Sequence, residues 1–151
     1  MRAMKPARAG YRYVRPQIRI PLMSSPLPKH LWILLTVYFA ASLLHFAHNA
    51  EFIAFYPNMP EWLTREKVYL AWLGVSSIGV AALVVLRFGW YAVGALLLAA
   101  YGSMGLDGLG HYTLALCSEH TLTTNLTIWF EVASGVILAA AAVFWLRTRH
   151  V

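Results

Sequence analysis

A single cysteine, Cys117, excludes any disulfide within this chain and leaves its redox compartment open. Charge is equally scarce. Only 12% of positions are charged, about half the share usual in soluble domains, and only six are acidic. With 60% of its 151 residues hydrophobic, the chain has more apolar surface than a soluble fold of this size could hide. The opening residues show no short apolar run followed by a small-residue cleavage site, so a removable signal peptide is not expected. The HExxH zinc signature is missing, as are internal repeats and any stretch that reads as a soluble domain.

What the sequence does contain is four long apolar runs. Leu31 to Ala50 carries no Lys, Arg, Asp or Glu, the length a helix needs to cross about 30 Å of hydrocarbon. Tyr56-Pro57-Asn58-Met59-Pro60 ends that span, and Thr64 is the expected N-cap of the next. Spans are expected at about 31–55, 68–86, 88–111 and 125–146. The fold class is therefore an all-α integral membrane protein, a four-transmembrane-helix bundle occupying 29–151. Residues 1–28, basic and rich in proline, are expected to form a disordered arm. Met23 is an alternative start, which would leave 1–22 untranslated.

The net charge of +6 invites a nucleic-acid reading until the basic residues are located. Arg2, Lys5, Arg8, Arg12, Arg15, Arg19 and Lys29 all precede the first span, whereas the loop containing Glu119 and His120 has neither Lys nor Arg. This asymmetry is a topology signal. It predicts a multi-pass protein of the inner (cytoplasmic) membrane with both termini cytoplasmic, in contact with anionic lipid and not with nucleic acid. In span three, Gly102, Gly105 and Gly108 recur every third residue. They would admit a neighbouring helix closely, and they weaken the helix enough to kink or unwind it.

Ionisable residues inside such spans mark a site, a relay or a buried pair. His45, His48 and Glu51 advance about 300° each and form a band roughly 120° wide on span one. At about 1.5 Å of rise per residue, they share the outer third of the membrane with Asp107 and His111 of span three and Glu131 of span four. These six residues are the candidate metal site, with Glu51, Asp107 and Glu131 as candidate catalytic carboxylates. Mixed imidazole and carboxylate ligands suit zinc, iron or manganese. A haem b between His45 or His48 and His111 is the second option, although the three carboxylates would crowd its apolar ring. The third needs no metal: a carboxylate–histidine acid–base pair acting on a lipid-soluble or small substrate. His120 is expected to be a solvated surface residue, and His30 and His150 to be interfacial.

His48-Asn49-Ala50-Glu51 at the end of a first span, followed by an aromatic, proline-containing turn, resembles the bacterial membrane family named for its HxxEE motif. The late histidine of span three and the threonine-rich start of span four, Thr121 to Thr127, are similar too. The likeness runs from Leu31 to Leu146 and departs at the second Glu, which is Phe52 here. It implies four helices and a site around His48, Glu51 and His111, and no assigned reaction. The functional expectation is a membrane enzyme with its site near the periplasmic face. The alternatives are a b-type electron-transfer protein, or a non-catalytic accessory subunit of a larger membrane complex. The expected partners are membrane lipid and either further copies of the chain, as a homo-oligomer, or a larger membrane complex.

Overall fold

The structure, a computed structural model, describes residues 27–149. The expectations for the arm before Leu27, for the alternative start at Met23 and for His150 fall outside the described residues. Among the described residues there is no strand, and four helical segments are long and apolar enough to cross a membrane. They are α1 (Lys29–Glu51), α2 (Arg65–Arg87), the composite segment Tyr91–Leu114, and α5 (Leu122–Arg149). Within the composite segment, α3 (Tyr91–Ser103) runs into a 3-10 stretch (Met104–Gly110) and then a single turn, α4 (His111–Leu114).

Short connections force the segments to run alternately up and down. Between α2 and the third segment only Phe88-Gly89-Trp90 intervene, and Gly89 takes φ +83°, where a side chain would be strained. Between α1 and α2, a 3-10 turn (Ile53–Phe55) leads into the proline-containing connector. Tyr56 turns inward there and is 4% exposed, and Thr64 caps α2 by accepting from the Lys67 amide at 3.4 Å.

Four crossings return the chain to the end from which it set out. That near end holds Lys29, Arg87, Arg147 and Arg149, and Arg149 lies over the rings of Tyr91 and Trp145 at 4.0 and 4.8 Å. Here the core is apolar throughout, with Leu31, Leu35, Leu86, Leu98, Leu138 and Trp145 packed together. Large apolar side chains such as Ile33, Val80, Phe88, Leu96, Ile137 and Phe144 face outward, as lipid-facing positions require.

The glycines of span three explain its change of winding. A 3-10 helix has three residues per turn, so residues three apart lie on one line. Gly102, Gly105, Gly108 and His111 fall on such a line and are all buried, while Met104, Asp107 and Gly110 form the exposed line beside it. The buried line presses against α5. A Cβ added at Gly102 would lie 2.5 Å from the Gly135 carbonyl oxygen, and one at Gly105 would lie 3.0 Å from that of Glu131. Backbone contact this close needs glycine. It sets the height at which His111 meets α1 and α5.

Candidate functional site

Two polar stripes meet at the far end of the bundle. On α1, Tyr38, Ser42, His45 and Asn49 are buried at steps of four, three and four residues, which keeps them within about 60° of one direction. On α5, Thr124, Thr127, Glu131 and Ser134 repeat the pattern at three, four and three. Where the stripes touch, His45 Nε2 lies 3.7 Å from Glu131 Oε2, with the two side chains 4% and 1% exposed.

The hydroxyl of Thr127 fixes the tautomer of His45. Its one proton is donated to the Thr124 carbonyl at 2.9 Å. The 3.3 Å contact with His45 Nδ1 then requires the ring N–H to be the donor. The Nε2 lone pair is left facing the Glu131 carboxyl. His111 is held in the same way from α1, since the Asn49 amide donates to its Nε2 at 3.2 Å. The His45 and His111 rings stand edge to face with centroids 5.3 Å apart. Two acceptors in this cluster, Glu131 Oε2 and Asn49 Oδ1, are buried without a hydrogen-bond partner.

A cavity of about 310 Å3 opens beside these groups, between α1, the start of α2 and the 3-10 stretch. His45, Asn49, His111 and Glu131 make its polar wall, with Asp107 exposed at its rim. Phe46, Met59, Leu63, Val68 and Leu114 make the apolar remainder, and Met59 and Leu63 belong to the connector that follows Tyr56. A small molecule with an apolar body could enter and meet an imidazole–carboxyl pair suited to proton transfer.

The structure therefore brings together four of the six sequence-predicted residues, His45, Asp107, His111 and Glu131, around one cavity. The other two it sends elsewhere. His48 is half-buried, and its Nδ1 shares a 2.8 Å hydrogen bond with the Tyr56 hydroxyl. Glu51 is exposed and accepts from Arg65 at 2.7 and 2.9 Å and from Tyr69 at 2.8 Å. The reason is angular. Each three-residue step falls about 60° short of a full turn, so the band from His45 to Glu51 rotates from the core to the α2 side. Among the described residues, no group of three or more His, Cys, Asp and Glu side chains is placed to hold one metal ion.

Asn49, Thr127 and Tyr56, none of them among the six candidate ligands, complete the site. The 4-3-4 polar stripe was the available signal for Asn49. Tyr56 packs its ring 4.9 Å from that of His111. Burial pushes its phenol up to about 12, and the Glu131 carboxyl nearby adds to the rise. His120 corrects the surface expectation. It is 8% exposed, its Nδ1–H donates to the Leu116 carbonyl at 3.0 Å, and its ring lies 5.5 Å from that of Tyr112 and 6.2 Å from that of His111. The loop folds back because Glu119 accepts from the Leu116 amide at 2.6 Å and Asn125 donates to the Cys117 carbonyl at 3.0 Å. Comparison of the chain with models of known families, with characterised proteins and with solved structures finds no match.

Proposed function

We propose that this chain is a small multi-pass protein of the bacterial inner membrane that binds a small lipid-soluble molecule in its far-end cavity. The His45–Glu131 pair acts there as general acid and base. One observation carries the reading: a buried imidazole lone pair faces a buried, otherwise unpartnered carboxyl oxygen on the polar wall of a cavity whose opposite side is apolar. Unpaired polar groups in such surroundings are costly, so their persistence points to use. By the basic-residue asymmetry the cavity opens toward the periplasm.

The pair is favoured over a b-type haem. The Nε2 atoms of His45 and His111 that an iron would need are directed at Glu131 and at the Asn49 amide. In this reading the motif behind the family resemblance contributes Asn49 to the cavity. His48 and Glu51 tie down the two ends of the connector that covers it, through Tyr56 and Arg65.

Infrared spectra of the protein in lipid nanodiscs test the proposal. Acidification should bring up a carboxyl band that is absent in Glu131→Gln and displaced in His45→Ala. A carboxyl signal indifferent to His45 would remove the acid–base pair and leave only a binding cavity.

A further inference from the structure

The polar wall of the cavity is weighted toward acceptors: three of them are open, and the donors left over are the second amide N–H of Asn49 and the Nδ1–H of His111. The ring N–H of His45 is committed to Thr127, so Nε2 presents a lone pair. Asn49 spends an amide N–H on His111 and keeps Oδ1 unpartnered, and Glu131 Oε2 is unpartnered as well. Both residues are more than nine-tenths buried. Among the described residues no Lys or Arg lines the cavity, while a second carboxylate, Asp107, stands at its rim. The complement of three acceptors and two acidic groups is a cationic group with several N–H donors, and the complement of Phe46 and Leu63 is a hydrocarbon chain.

We infer that the ligand of this cavity is an amphiphilic amine. Its ammonium sits among Glu131, Asn49 Oδ1 and His45 Nε2, and its apolar chain lies along Phe46 and Leu63. The inference rests on the cavity reading given above and adds the chemical class of the molecule bound. An ammonium carries three donors and a full charge, whereas an alcohol of equal length carries one donor and none. A divalent ion would also satisfy acceptors, but the His45–Glu131 pair supplies only two of the usual three protein ligands.

Equilibrium dialysis of labelled octylamine, octanol and octanoate against the full chain in nanodiscs tests this, with empty nanodiscs as the blank. Ala71 is exposed on the α2 side of the cavity, so Ala71→Trp should block the opening without disturbing the core. The expected result is saturable octylamine binding that Ala71→Trp abolishes and that is about tenfold tighter than octanol binding. Glu131→Gln should cancel that preference. Should it fold poorly, the exposed Asp107→Asn should still weaken octylamine several-fold and leave octanol unchanged. Equal binding of amine and alcohol, or tighter binding of octanoate, would overturn the ligand class while preserving the cavity. Saturable binding of none of the three would overturn both. Stoichiometric Zn2+ binding that octylamine cannot displace would assign the acceptors to a metal instead.

Discussion

Gly102 and Gly135 face each other across the crossing of α3 and α5, and the space a side chain would take on each is filled by the other's carbonyl oxygen. Neither position can accept even a methyl group without moving a helix. Gly102→Ala and Gly135→Ala should each cost about 1–3 kcal/mol in SDS-titrated unfolding. Gly74→Ala and Gly110→Ala, where a Cβ meets nothing within 4 Å, are the controls and should be neutral or slightly stabilising. Equal effects at all four would show that the crossing is looser than its backbone contacts indicate.

His45 and Glu131 should be energetically coupled. His45→Leu or Glu131→Leu alone strands the other buried group, at a cost of about 3 kcal/mol, whereas the double substitution leaves two apolar side chains in contact. A double-mutant cycle should therefore give a coupling of about 1–3 kcal/mol. Strict additivity would mean that the 3.7 Å approach contributes nothing.

Tyr56 gives the far end an alkaline limit. Its phenol titrates near 10 when unfolded and about 12 when folded, so its contribution is intact below pH 10 and lost as the pH climbs through 12. Tyr56→Phe removes that component. Unfolding midpoints followed across this window should fall less steeply in the variant than in the wild type, and parallel slopes would place the phenol in water.

Topology is open to direct measurement. Reporter fusions after Ser118 and after Val151 should report opposite compartments, with the C-terminal fusion cytoplasmic. A periplasmic C-terminus would invert the bundle and turn the cavity toward the cytoplasm.

Depth was legible in the sequence because it is one-dimensional. Rise per residue alone put His45, Asp107, His111 and Glu131 at one level, and the structure finds them around one cavity. Direction around the helix was not legible, because it depends on which neighbour each face meets. Glu51 shares that level, but it turns toward Arg65, a partner fourteen positions later on α2. The connector and the Ala115–Thr121 loop were hidden for a different reason. Tyr56 and His120 are drawn inward by single hydrogen bonds and ring contacts, which leave no periodicity to read.

The winding of Met104–Gly110 has a consequence for how this sequence can change length. With three residues per turn, adding or deleting one residue between Gly102 and His111 swings everything beyond it by about 120°. His111 would leave Asn49, and the glycine line would leave α5. Gain or loss of three residues would restore both directions but move His111 about 6 Å along the axis. Insertions and deletions that keep the facing of this segment should therefore come in threes, as though it kept a reading frame at the level of the protein.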